Sequence, residues 1–260
     1  MPNQNQCPHG GDHSESCDAC DFAPASVWSD MPADFMTSLA ERKTVRKLKR
    51  GNYLFHQGDP CDAVFRLLSG VLLLRKGDHD GNSLVVRMVR PGSTLGYRAL
   101  VRGEVHSVSA HCATEVVVCH IPARAARWAF EQNRALERDF VANLVRDIDQ
   151  IEDQALNMLT LCVRDRVLVL LYQMAEHFGR DEGEALCIDT PVSKSDMAAM
   201  LGIARESMSR CIRLIEEQGL LRFHHDGVVA PCRKRFQAAV DAILGEVAPK
   251  SEDDRPASNG

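Results

Sequence analysis

The chain has 260 residues, 45% of them hydrophobic and 26% charged, a composition that suits two ordinary soluble domains. No run approaches the roughly 18 apolar residues of a membrane helix, and the polar start MPNQNQCPHGGDH has no apolar core of an export signal, so a cytoplasmic protein with reduced cysteines and no membrane partner is expected. The net charge of −5 excludes a uniformly basic nucleic-acid binder, but from Ser193 to Arg235 basic residues outnumber acids, and one such face is enough to meet phosphate.

Residues 1–30 show no hydrophobic periodicity and are rich in Gly, His, Asp, Ser and Pro, so alone they should not fold. Within them SESCDACDFAP places Cys17 and Cys20 as Cys-x-x-Cys, with Cys7 upstream. Read by itself, that group is a metal clasp, a redox-active dithiol or a set of idle thiols. Ala33 to Ala40 predicts a short helix. From Val45 to Ile121, short apolar runs (Tyr53–Phe55, Val64–Leu68, Val71–Leu74, Leu84–Val89, Val116–Ile121) alternate with Gly and Pro turns. This pattern predicts an all-β barrel or jelly roll over residues 31–122.

Residues 123–162 contain no Pro or Gly and predict one long helix. Val141, Leu144, Ile148, Ile151, Ala155, Met158 and Cys162 follow each other at spacings of three and four. So narrow a seam suits a two-stranded coiled coil better than a helix packed on its own barrel, and a homodimer is expected. Asp147, Asp149, Glu152 and Asp153 fall beside the seam and should raise the cost of pairing.

Residues 163–245 predict a helical domain that opens with Arg164–Phe178. VSKSDMAAMLGIARESMSRCIRLIEEQGLL then reads as helix, turn, helix. Ser193 or Ser195 caps the first helix, Gly202 makes the turn, and Gly219 closes the second. Met208, Ile212 and Ile215 face inward, leaving Arg205, Glu206, Ser209, Arg210 and Arg213 outward. LLRFHHDGVVAPC reads as a hairpin with Asp226-Gly227 at its tip. Residues 246–260 form an acid-rich tail. The fold class expected is α+β: a β-roll, a dimerisation helix and a winged helix-turn-helix that binds DNA. No phosphate-binding Gly loop, His-Glu-x-x-His or nucleophile elbow is present, so no enzyme is expected.

This order of parts resembles the Crp/Fnr family of bacterial transcription regulators. GNYLFHQGDPCDAVFRLLSGVLLLRK and DGNSLVVRMVRPGSTLGYRAL are similar to the family's β-roll, and ARESMSRCIRLIEEQGLL to its recognition helix; the resemblance covers residues 33–245. Members that bind cyclic nucleotides carry Gly-Glu-Leu and Arg-Ser where this chain has Gly96-Tyr97-Arg98 and His106-Ser107. A cyclic phosphate would lack its bidentate guanidinium, so no cyclic nucleotide is expected, although Arg98 or Arg102 can meet another anion. Haem-binding members have ligands near the same turn; STLGYRALV has none, which leaves His79, His106, His111 and His120 as a weak haem alternative.

The oxygen-sensing Fnr branch holds a 4Fe–4S cluster on N-terminal cysteines plus one before an Ile-Pro. ATEVVVCHIPA places Cys119 there, and the resemblance implies Cys17, Cys20, Cys119 and Cys7 as cluster ligands, thiolates being the usual donors. The family's third N-terminal cysteine follows the Cys-x-x-Cys pair, whereas Cys7 precedes it. Cys61, Cys112, Asp21 or His13 are substitutes for it, and zinc is an alternative metal. Cys112, Cys162, Cys187, Cys211 and Cys232 are expected to be small buried residues. Glu206, Ser209 and Arg210 match the branch's Glu-x-x-Ser-Arg pattern and imply readout of a TTGAT-type inverted repeat by a dimer. Arg205 is a phosphate contact or alters one base preference, and Lys194, Arg213 and Arg222 are phosphate contacts. RNA polymerase is the implied partner, and oxygen, nitric oxide or redox state the implied signal.

Overall fold

A computed structural model describes residues 42–81, 83–132, 134–225 and 227–247. Cys7, Cys17, Cys20, the helix expected over 33–40 and the tail from 248 onward lie outside the described residues. The chain divides into two compact units, residues 1–152 and 153–260.

The first unit is a roll of two four-stranded antiparallel sheets. One has the order β1 (Thr44–Leu48), β8 (Val116–Pro122), β3 (Ala63–Ser69), β6 (Thr94–Leu95). The other has the order β2 (Tyr53–Phe55), β7 (Ser109–Cys112), β4 (Leu72–Gly77), β5 (Ser83–Val89). Successive strand residues point to opposite faces, and β8 uses both. Val116 and Val118 join Phe55, Phe65, Leu67, Leu72 and Cys112 in one core. Val117, Cys119 and Ile121 join Val64 and Leu68 in a second core, beneath α2 (Ala123–Gln132) and the start of α3 (Arg134–Thr160). Ala125, Ala126 and Ala129 are buried there, and such small side chains let α2 lie close to the sheet. β3 and β8 thus read as nearly continuous apolar runs because both their faces are covered. A short helix, α1 (Tyr97–Arg102), follows Gly96; six residues are too few for a helical period to show in sequence. Gly96 has φ of +85°, and a Cβ there would meet the Ala63 carbonyl oxygen at 2.8 Å, so both conformation and space require glycine.

The second unit packs α4 (Val163–Phe178), α5 (Lys194–Met200), α6 (Arg205–Glu217) and α7 (Arg233–Val247) with a four-stranded antiparallel sheet. Its order is β11 (Arg222–Phe223), β12 (Val228–Ala230), β10 (Ala185–Ile188), β9 (Gly179–Glu182). The β11–β12 hairpin is the wing expected from the sequence. The β9–β10 hairpin and α7 were not expected: β9 is charged and exposed, and only Leu186 and Ile188 of β10 are buried. Val167, Leu168, Leu171 and Met174 of α4 form the core with Phe236 and Val240 of α7.

Two expectations are corrected. Cys112 and Cys211 are buried, but Cys187 is half-buried and Cys162 and Cys232 are exposed, because Cys162 precedes α4 and Cys232 precedes α7, at surface ends of helices. Asp147 is no repulsive charge beside the seam: it is turned toward the roll and is only 3% exposed.

Candidate functional site

The helix-turn-helix is set by local chemistry. Ser193 Oγ accepts the Asp196 N–H at 3.1 Å and Asp196 Oδ2 accepts the Ser193 N–H at 3.1 Å, a reciprocal capping box that fixes the start of α5. Met197 and Ala198 are buried, and Gly202 turns the chain at φ +62°, a value favouring glycine. On α6, Met208, Cys211, Ile212 and Ile215 are buried, which leaves Arg205, Glu206, Ser209, Arg210 and Arg213 together on the exposed face. Ser209 Oγ donates to the Arg205 carbonyl at 3.0 Å, and the Arg210 guanidinium donates to Ser207 Oγ at 3.2 Å. Arg210 is thereby oriented while its remaining donors stay available. Glu216, not singled out from sequence, and Lys194, expected there only as a phosphate contact, both hold the wing. Glu216 Oε1 accepts the Phe223 N–H at 2.9 Å, and the Lys194 ammonium lies 5.5 Å from the Phe223 ring centroid, within cation–π range. Neither contact leaves a periodic signal in the sequence.

In the roll, Cys119 pairs in register with Val45 of β1 on one side and Arg66 of β3 on the other. Its side chain joins the helix-facing core and is 7% exposed. Since Thr44 opposes His120, the chain arriving from the N-terminal cysteines enters the roll beside Cys119. Cys61 packs against the same core, and its thiol donates to the Gly96 carbonyl at 3.4 Å; burial raises its pKa. Cys112 belongs to the other core, between the sheets, and burial pushes its thiol up to about 11, so it does not share a face with Cys119. Among the described residues no group of three or more His, Cys, Asp or Glu is placed to hold a metal; Cys119 is brought together with none of the other expected ligands, which lie outside them.

Residues 45–133 match the family described as "Cyclic nucleotide-binding domain", and residues 165–238 match "Crp-like helix-turn-helix domain". The chain belongs to the Crp/Fnr family of transcription regulators. It is 27% identical over 206 residues to the "Transcriptional activator protein anr" of Pseudomonas aeruginosa, covering 79% of this chain and 84% of the relative. Over 215 residues it is 21% identical to the "CRP-like cAMP-activated global transcriptional regulator" of Mycobacterium tuberculosis, covering 83% and 96%. The structure of FixK2 from Bradyrhizobium japonicum superposes with a TM-score of 0.66 at 20% identity, covering 76% of this chain and 96% of that one, a likeness of fold.

In this Crp/Fnr chain the positions that differ from cyclic-nucleotide binders are engaged within the protein. Tyr97 Oη donates to Asp147 Oδ2 at 2.7 Å and Arg98 Nη2 to the same oxygen at 2.6 Å, while Arg87 Nη1 lies 2.5 Å from Asp147 Oδ1. His106 is buried, with its ring stacked on Phe55 at 3.8 Å, and burial lowers its pKa. His120 meets Phe65 edge-on at 5.3 Å and is lowered for the same reason. His79 stands on an exposed turn and His111 beside Tyr53.

Along α3 of the single chain, Val141, Val145, Ile148, Ile151, Leu156 and Leu159 are exposed. Ala155 and Cys162 share that exposure, and Met158 is half-buried. Leu144, expected in the seam, instead packs against the roll's helix-facing core, because Leu136, Phe140 and Leu144 line one side of the helix. Among the described residues no helix is long and apolar enough to cross a membrane.

Proposed function

We propose that this DNA-binding regulator works as a homodimer whose competence is set by a 4Fe–4S cluster on Cys119 and the N-terminal cysteines. The observation that carries the reading is the register of β1 on β8: Val45 opposes Cys119, so β1, the first described strand after the cysteine-bearing part of the sequence, runs beside the one cysteine of β8. The donor chemistry fits, since Cys17, Cys20, Cys119 and Cys7 would supply four thiolates. When bound, the group supplies a tether sensitive to oxygen, nitric oxide or redox state. Cys119 lies in the core that also receives the start of α3, so tension on the N-terminal segment is felt where the dimer helix is seated. The exposed stripe of Val141, Val145, Ile148, Ile151 and Ala155 is the surface through which two copies pair.

Glu206, Ser209 and Arg210 read base edges of a TTGAT-type inverted repeat, Arg210 donating to guanine and Glu206 accepting from cytosine. Lys194, Arg205, Arg213 and Arg222 position the helix on phosphates. RNA polymerase is the partner on DNA. No cyclic nucleotide is the effector: Arg98 is committed to Asp147, and a buried imidazole at His106 offers a cyclic phosphate no fixed charge. No reaction is catalysed.

Purification without air tests this reading. Brown protein with iron and sulfide that binds the inverted repeat is expected, with colour and binding both lost in Cys119→Ala. Colourless, metal-free protein binding equally well in air overturns it, and stoichiometric zinc without sulfide points to a zinc-stabilised regulator instead.

A further inference from the structure

Asp147 and His106 are the two buried polar or charged residues among the described ones. An ionised carboxylate is costly to bury unless it is paired and hydrogen-bonded, and every partner of Asp147 comes from the roll. Arg87 lies on β5, Tyr97 and Arg98 on α1, and Asp147 on α3. Its two oxygens are shared between two guanidiniums and a phenol, at 2.5 to 2.7 Å. Tyr97 spans two levels of the helix: its ring meets Phe140 edge-on at 4.9 Å, and its hydroxyl meets Asp147. Leu136, Phe140, Leu144 and Asp147, at spacings of three and four, therefore form one roll-facing edge. Val141, Val145 and Ile148, one residue on from Phe140, Leu144 and Asp147, are turned outward. A helix held on one edge has its other face chosen for it.

We propose that the Asp147 carboxylate acts as a built-in ligand of Arg87, Arg98 and Tyr97, and that this contact, in place of a soluble effector, sets the rotation at which α3 presents its dimer face. Three oriented partners on a short polar side chain specify an angle more sharply than the apolar contacts of Leu144 can, because hydrogen bonds are directional. Arg98 remains 41% exposed, so the contact is open to solvent on one side. The inference rests on the homodimer proposed above.

The test compares full-length wild type with Asp147→Asn, Asp147→Ala and Arg98→Gln, using Glu104→Gln, whose ion pair with Arg102 is exposed, as control. Sedimentation measures the dimer dissociation constant, and near-ultraviolet circular dichroism with thermal melting reports the roll. In Asp147→Asn a rise of about tenfold or more in that constant is expected with the roll still folded, Arg98→Gln moving in the same direction. In Asp147→Ala, added acetate or formate should enter the vacated site and recover dimerisation, while leaving wild type unaffected; loss of packing alone gives no such rescue. Dimerisation unchanged or tightened in Asp147→Asn and Arg98→Gln overturns the inference, as does absence of rescue in a folded Asp147→Ala. A wild type that stays monomeric and ignores the inverted repeat overturns the homodimer reading instead.

Discussion

Leu144 and Val145 are neighbours in sequence but serve different surfaces: Leu144 packs on the roll's own core, while Val145 stands 50% exposed. Substitutions at the two should therefore separate folding from pairing. Leu144→Ala is expected to lower the stability of the roll by about 1–2 kcal/mol, below the range of about 2–5 kcal/mol for a fully buried leucine because the site is only partly buried. Val145→Glu and Ile148→Glu should leave that stability within about 0.5 kcal/mol and shift the chain toward monomer, as a charge enters a coiled-coil seam. Urea unfolding of the monomer and sedimentation read the two effects independently.

On α6 the difference between reading and positioning is also testable. Arg210→Ala should weaken binding to the TTGAT repeat by about 1–3 kcal/mol and relax preference at one base pair of each half-site. Lys194→Ala should weaken all sequences alike and reduce the slope of log affinity against log salt by about one per subunit. Lys194 also lies against Phe223 of the wing, so part of its effect is expected to persist at high salt. Binding isotherms on matched and substituted half-sites over a salt series distinguish the two variants.

Thiol placement predicts an order of chemical modification. Cys162 and Cys232 are exposed, whereas Cys112 and Cys211 are buried and have raised pKa values, mainly through burial. Alkylation at pH 8 depends on the thiolate. Among the cysteines of the described residues, mass spectrometry of the native protein should find Cys162 and Cys232 labelled first, with Cys112, at about 11, labelled only on unfolding. Early labelling of Cys112 would mean that the core between the sheets opens locally.

Legibility in the sequence followed the range of the interactions. The roll strands show as apolar runs cut by turns, because most of the bends between them carry Gly or Pro. The cap of α5, open in the sequence between Ser193 and Ser195, the turn at Gly202 and the inner positions Met208, Ile212 and Ile215 of α6 each lie within a few residues and were visible. The β9–β10 hairpin was hidden because its strands are short and β9 is charged; Leu186 and Ile188 are held by the rest of the domain rather than by local pattern. Asp147 was misread for a related reason. An acid flanking an apolar seam reads as solvated until the fold delivers Arg87 and Arg98 from distant parts of the chain. The same helix side took Leu144 out of the expected seam, since period alone does not reveal which partner claims a position that the roll and a second subunit both can use.

The two lowered histidines give the roll a defined response to acid. At both His106 and His120, burial is the leading cause, disfavouring the imidazolium, with Arg46 adding to it at His120. The unfolded chain takes up protons at these sites near the ordinary value of 6.5, before the folded chain does. Below that point the unfolded state binds more protons, so stability rises with pH across this range. Their contribution is complete above about 6.5 and is lost as pH falls from there through the lower folded values. Urea midpoints measured between pH 7.5 and 5.5 should decline toward acid, and the decline should be shallower in His106→Leu, which stays apolar beside Phe55. An equally steep decline in that variant would assign the acid response to His120 or to the carboxylates rather than to the ring stacked on Phe55.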